Sequence, residues 1–252
     1  MILNFEYQEN LAKSEAKTIL FIHGLFGSLS NLGMLARAFT DTHHVLQVDV
    51  RNHGKSNHSN EVNYSVMAQD VIETLNHLNI DQFIAVGHSM GGKISMKLAE
   101  LAQNRLEKLV VLDMAPYAST QRNHDKIFEA LFAVENAQIE SRQEALSIMR
   151  EYLKEEMVIQ FLMKSFSKGH WLFNVKALYD NYSNILDWDI MQSNVRAIFI
   201  RGGVSPYLAQ DIQQQAVYTQ FPNAVIHTVD GVGHWLHAEK TNEVVEQIQS
   251  FI

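Results

Sequence analysis

Apolar and polar residues alternate in two rhythms along this chain. Thr18-Ile19-Leu20-Phe21-Ile22, Val45-Leu46-Gln47-Val48, Phe83-Ile84-Ala85-Val86 and Leu109-Val110-Val111-Leu112 are near-continuous apolar runs, the pattern of strands covered on both faces. Between them apolar residues recur at helical spacing: Leu32, Leu35, Ala36 and Phe39; then Val66, Ala68, Val71, Leu75 and Leu78, a helix from about Ser65 to Leu78; then Ile94, Leu98 and Leu101. Leu3-Asn4-Phe5-Glu6-Tyr7 alternates, as a half-exposed strand does. Strands and helices in this order predict a mostly parallel α/β sheet with right-handed crossovers and helices on both faces.

The rhythm breaks after Pro116. From Tyr117 to about Asp187 the pattern is helical throughout, with Ile127, Leu131 and Val134 on one helix, Ala145, Ile148, Met149 and Leu153 on a second, and Val158, Phe161, Leu162 and Phe166 on a third. Strands resume at Ala197-Ile198-Phe199-Ile200 and at Ala224-Val225-Ile226-His227-Thr228-Val229, and Val244, Val245, Ile248 and Ile252 mark a closing helix. The expected organisation is an α/β core in two parts, 1–115 and 190–252, interrupted by a helical cap at 116–189. An insertion between two sheet strands, on the side where strands end, is placed to cover an active site.

A length of 252 residues suits one large domain with an inserted lobe, and 46% hydrophobic against 19% charged residues suits a globular chain with a substantial core. The net charge of −8 argues against nucleic-acid binding, which needs a basic footprint. The chain has no cysteine, which removes disulfides, thiolate metal sites and a cysteine nucleophile. Met1 to Asn10 carries Glu6 and Glu9 and lacks the apolar stretch of a secretory signal, and no apolar run approaches the roughly 18 residues of a membrane span. The expectation is a cytoplasmic protein without membrane contact. Nothing in the pattern specifies an oligomeric state.

The candidate chemistry lies at the ends of the strands. Gly87-His88-Ser89-Met90-Gly91 reads G-x-S-x-G between a strand and a helix, the signature of a nucleophile elbow, in which a strained turn lifts the serine hydroxyl above the strand ends. Side chains two residues before or after the serine would clash, so glycine is needed at both places. His23-Gly24-Leu25-Phe26-Gly27 follows an early strand. An oxyanion hole takes one backbone N–H from the residue after the nucleophile and one from such a loop, here Met90 and Leu25.

His234, in Gly231-Val232-Gly233-His234-Trp235 between the last strand and the last helix, is the candidate general base. His237 lies three residues on; the pair suggests a metal, but no carboxylate-rich partner motif accompanies it, and His237 is read as structural. The acid is less direct. Its usual turn, after the strand that follows the insertion, reads Gly202-Gly203-Val204-Ser205-Pro206, with serine where a carboxylate is expected. Asp113, at the end of the strand after the elbow helix, is the favoured acid, because a lone carboxylate among Leu112 and Met114 needs a partner and His234 Nδ1 is the natural one. Ser205 then becomes an auxiliary hydrogen-bonding member. Asp211 is the competing acid, but it falls inside an apparent helix.

Asp49 and Arg51 are read as bracing the loop Arg51-Asn52-His53-Gly54-Lys55-Ser56, whose Gly-Lys-Ser lacks the upstream glycine of a P-loop. His43, His44, His58, His77, His124 and His170 have no motif context.

Taken together, the segments His23–Ser28, Asp49–Gly54, Gly87–Lys93 and Gly233–Lys240 resemble the ybfF-type bacterial esterases of the α/β-hydrolase superfamily, including the pairing of Asp113 with Ser205. The resemblance implies an α/β-hydrolase fold with a small helical cap, a serine carboxylesterase activity on a small-molecule ester, no cofactor and no metal, with acyl thioesters such as acyl-CoA as an extension. A CoA-bearing substrate needs cations at the mouth. Arg122 and Lys126 flank His124 at the start of the insertion, and Arg122 is the expected anchor; Tyr207 is expected to face the crevice. A C–C hydrolase, a lyase of menaquinone-pathway type or a cofactor-free haloperoxidase would use the same residues, and a non-catalytic ligand-binding protein is the alternative from another class. Serine in place of aspartate at the elbow disfavours a dehalogenase or epoxide hydrolase.

Overall fold

The computed structural model describes residues 1–12 and 15–252. Seven strands form one sheet in the order β1-β3-β2-β4-β5-β8-β9. They are β1 (Phe5–Gln8), β2 (Thr18–Ile22), β3 (His44–Val48), β4 (Phe83–His88), β5 (Leu106–Leu112), β8 (Arg196–Gly202) and β9 (Ala224–Val229). β1 runs antiparallel to β3, and every other neighbouring pair is parallel.

The apolar runs are continuous because both faces of the sheet are covered, and alternate residues serve opposite faces. Ile19, Phe21, Ile84, Val86, Val110, Leu112, Ile198 and Ile200 pack against α1 (Gly33–Arg37) and α11 (Thr241–Phe251) through Leu35, Ala36, Val244 and Ile248. Leu20, Ile22, Ala85, Leu109, Val111, Ala197 and Phe199 pack on the other face with α2 (Tyr64–His77) and α3 (Met90–Leu101). That second cluster runs on into the insertion. Phe26 lies edge-on to Phe128, with ring centroids 5.2 Å apart, and Tyr64 donates its hydroxyl to the Ile185 carbonyl at 2.6 Å.

Between β5 and β8 the chain forms α4 (Asp125–Asn136), α5 (Arg142–Tyr152), α6 (Glu156–Met163), the strands β6 (Phe166–Ser167) and β7 (His170–Trp171), α7 (Val175–Asp180) and α8 (Tyr182–Leu186). The expectation of helix throughout is corrected here. Phe166 belongs to an antiparallel hairpin, not to a third helix, because Lys168 and Gly169 both take positive φ (50° and 79°) and reverse the chain. Both ends of the insertion meet buried Gln220, on α9 (Asp211–Gln220): its Nε2–H donates to the Pro116 carbonyl at 2.7 Å, and its Oε1 accepts from Trp188 Nε1 at 2.8 Å.

Strand order sets where a site can form. The chain leaves β2 for β3 on one side and then starts β4 on the other, so the connections after β2 and β4 diverge and open a crevice at their C-terminal ends. Leu25 follows β2 and Ser89 follows β4. Asp113 ends β5, Ser205 follows β8, and His234 lies between β9 and α10 (Leu236–Glu239). No helix among the described residues is long and apolar enough to cross a membrane.

Candidate active site

Ser89 sits at φ 56° and ψ −119°, between the last residue of β4 and the first of α3. Side chains rarely tolerate that conformation, and it persists only where the surroundings over-determine it. Here close packing does so: a Cβ on Gly87 would stand 2.2 Å from the Gly91 carbonyl oxygen, and one on Gly91 would stand 2.2 Å from that of Ile22. The elbow is therefore wedged against β2.

The hydrogen bonds run in one direction. Asp113, fully buried, accepts the Nδ1–H of His234 at 2.6 Å, which leaves His234 Nε2 to accept the Ser89 hydroxyl at 2.9 Å. Gly202 donates its N–H to the other carboxylate oxygen at 2.9 Å, and the Ser205 hydroxyl donates to the oxygen that His234 uses. Sequence reasoning thus placed Ser89, His234, Asp113 and Ser205 in one cluster, and the structure brings all four together. Asp211 is exposed at the start of α9 and makes none of these hydrogen bonds.

The amides of Leu25 and Met90 have no hydrogen-bond partner among the described residues. Gly24, beside Leu25, lies so close to Ser89 that a Cβ would approach the serine Cβ at 3.2 Å. Two histidines hold this loop. His23 Nε2 accepts the Val50 N–H at 3.0 Å while its Nδ1–H donates to the Gly24 carbonyl at 2.8 Å. His53 Nε2 accepts the Phe26 N–H at 3.1 Å while its Nδ1–H donates to the Arg51 carbonyl at 2.9 Å. Burial pushes both imidazoles down, His53 to about 3. Asp49 braces the same region by accepting from Leu29 N at 2.7 Å and Lys55 N at 2.9 Å, whereas Arg51 turns to Asp70 on α2 at 2.6 Å.

Ser89 lies on the floor of a cavity with two lobes of about 570 and 260 Å³. Tyr207 lines both, with its ring centroid 4.1 Å from that of His234, and burial raises its phenol. His124 also lines both and was not singled out from sequence. Its Nδ1 pairs with the Tyr182 hydroxyl at 2.6 Å, and burial, then the nearby His234, lower it to about 4. A pairing between residues so far apart in the chain leaves no local motif. Arg122 is the expected site residue that moves out: it lines neither lobe, pairs with Asp125 at 3.0 Å and lies over the Tyr182 ring at 4.8 Å. The cations of the larger lobe are Lys126 and Lys154.

The profile described as the alpha/beta hydrolase fold matches residues 17–141. The chain is 45% identical to Esterase YbfF of Escherichia coli (strain K12), over 100% of this chain and 99% of that protein. The chain belongs to the α/β-hydrolase family. It is also 34% identical to the sn-1-specific diacylglycerol lipase ABHD11 of Mus musculus, over 93% of this chain and 80% of that protein. Among solved structures, a marine microorganism esterase matches with a TM-score of 0.92 at 30% identity, over the whole of both chains. The elbow, the loop after β2 and the histidine after β9 thus stand within an α/β-hydrolase framework whose relatives bear esterase and lipase names.

Proposed function

We propose that this α/β-hydrolase is a serine carboxylesterase that cleaves small-molecule esters, and acyl thioesters such as acyl-CoA, through an acyl-enzyme. The observation that carries the reading is the unbroken chain Asp113–His234–Ser89, with bonds of 2.6 and 2.9 Å, in the lining of a cavity. The esterase names of full-length relatives support it.

In this reading Ser89 Oγ attacks the ester carbonyl and its proton passes to His234 Nε2. Buried Asp113 stabilises the imidazolium, and the free amides of Leu25 and Met90 receive the oxyanion, each worth about 3 kcal/mol. His234 then protonates the leaving oxygen or sulfur, and water repeats the sequence on the acyl-enzyme. Residues 116–189 act as a cap that selects what reaches Ser89. Lys126 and Lys154 stand in the larger lobe beside Glu155 and Glu239, so the charge of its lining is balanced, and the extension to acyl-CoA rests on the resemblance to the esterases.

The test is hydrolysis of p-nitrophenyl esters of increasing chain length beside acyl-CoA thioesters, by the parent protein and by Ser89→Ala. The expected result is turnover that falls by at least about 10⁴-fold in the variant. Turnover unchanged by the substitution would remove the serine-esterase reading, and binding without turnover would favour the ligand-binding alternative.

A further inference from the structure

The two lobes above Ser89 do not meet the reacting groups equally. Both touch Leu25, Ser89, His124 and Tyr207. Only the larger lobe is lined by Gly233 and His234, and only the smaller by Met90. A tetrahedral carbon on Ser89 Oγ has three other substituents: the oxyanion, the leaving group and the acyl chain. The oxyanion is taken by the Leu25 and Met90 amides. The leaving atom must face His234 Nε2, because that nitrogen gives it the proton as its bond to carbon breaks. The acyl chain takes the remaining direction, away from His234.

We infer that the smaller lobe holds the acyl chain and the larger lobe the leaving group, an assignment that rests on the serine-esterase reading above. The apolar surface of the larger lobe alone would suggest the reverse. The chemistry of the walls fits the assignment. The smaller lobe, of about 260 Å³, has Tyr64, Met114, Ala115, Ile185 and Leu186 in its lining beside the polar Lys93, Gln121 and Gln213, and its size suits an acyl chain of limited length. The larger lobe has Ile127, Val158, Phe161 and Leu162 in its lining together with charges of both signs, Lys126 and Lys154 beside Glu155 and Glu239, which suits a bulky leaving group with an apolar body and a polar far end. His124, fixed against Tyr182 at 2.6 Å, and Tyr207, against His234, form the partition. The substrate class that follows is an ester or thioester whose size lies mainly in the alcohol or thiol.

Two substitutions separate the lobes. Ala118 lines only the smaller lobe and Val158 only the larger, and both are half-buried. Ala118→Trp and Val158→Trp are compared on p-nitrophenyl esters of growing acyl chain and on butyrate esters of growing alcohol. Ala118→Trp is expected to lower kcat/KM at least ten-fold for long acyl chains while leaving the alcohol series within two-fold of the parent; Val158→Trp is expected to do the converse. The opposite pattern, or equal narrowing of both series by each variant, overturns the assignment. A second measurement needs no variant: p-nitrophenyl alkylphosphonates form a Ser89 Oγ–phosphorus bond and release p-nitrophenolate, and the alkyl chain on phosphorus stands for the acyl chain. A crystal structure of that adduct is expected to show the chain beside Met114 and Ile185; a chain beside Val158 and Phe161 overturns the assignment. Label on a residue other than Ser89 would instead remove the serine-esterase reading itself.

Discussion

His88 holds His234 through the main chain: the His88 Nε2–H donates to the His234 carbonyl oxygen at 2.8 Å, with the two ring centroids 4.7 Å apart. Burial, then the neighbouring His237 and His234, push the His88 imidazole well below the ordinary range, so it stays neutral and its hydrogen stays on Nε2. The residue before the nucleophile therefore fixes the backbone of the proposed base. Losing that bond in His88→Phe is expected to lower kcat about ten-fold, the equivalent of about 1.4 kcal/mol, with KM little changed. His88→Gln, which keeps an N–H donor, is expected to recover most of the loss. A kcat unaffected by either substitution would assign His88 to packing alone.

Asp113 accepts from Gly202, Ser205 and His234, so its carboxylate is held from three sides. Asp113→Asn is expected to lower kcat by about 10⁴-fold, because the wrong His234 tautomer then faces Ser89. Ser205→Ala removes one hydrogen bond to a charged group, worth about 1.5–3 kcal/mol, and is expected to cost about 10- to 100-fold. Because Ser205 stands where a carboxylate is usual, Ser205→Asp in the Asp113→Asn background is expected to restore at least ten-fold of the lost kcat. No recovery would mean that the Ser205 position cannot serve His234.

What was legible in the sequence follows from how local each signal is. Strands covered on both faces show as near-continuous apolar runs, and β2, β3, β4, β5 and β8 lie where those runs predict them, while β9, at the edge of the sheet and partly exposed, also lies at its expected segment. Ser89, His234 and Leu25 lie in short motifs bounded by glycine. Asp113 had no motif and emerged from the cost of an unpaired charge at a strand end. The hairpin at Phe166 and Trp171 was hidden because Phe166 follows Leu162 at helical spacing, and only the left-handed turn at Lys168 and Gly169 breaks it. Apart from Tyr207, the upper cavity walls were not legible. His124 meets Tyr182, and Tyr64 meets the Ile185 carbonyl, across 58 and 121 residues of chain. Whether Arg122 or Lys126 faces the cavity depends on one turn at the start of α4, which charge pattern does not resolve.

Close packing and positive φ are separable demands on glycine here. Gly87 has no space for a Cβ, which would fall 2.2 Å from the Gly91 carbonyl oxygen and 2.3 Å from Ser95 Oγ. Gly231 has φ 74° but nothing within 4 Å of where a Cβ would lie. Gly231→Ala is expected to cost only the backbone strain, about 1–2 kcal/mol by urea denaturation, with activity retained. Gly87→Ala is expected to cost about 3 kcal/mol or more and to abolish turnover, since relief requires the first turn of α3 to move off β4 and carry Ser89 with it. Equal stability of the two variants would show that the elbow is not fixed by this contact.

The loop carrying Leu25 depends on neutral histidines, which makes it acid-sensitive. Nε2 of His23 and of His53 each accept a backbone N–H while Nδ1–H donates to a carbonyl, so a further proton would set two donors against each other. Burial lowers both from 6.5; at His53 the nearby His23 adds to the effect and the value falls to about 3, while Asp49 opposes the shift at His23. In the unfolded chain these groups take up protons below about 6.5, and in the folded protein His53 does not until about 3. The unfolded state therefore binds more protons in that window. Stability from this source is complete above pH 6.5 and is lost as pH falls, by about 1.4 kcal/mol per pH unit for His53, with His23 acting in the same direction. Urea denaturation at pH 7, 6 and 5 is expected to show that decline, steeper in the parent than in His53→Gln by about one proton's worth. A slope unchanged by the substitution would place the acid sensitivity elsewhere than at His53.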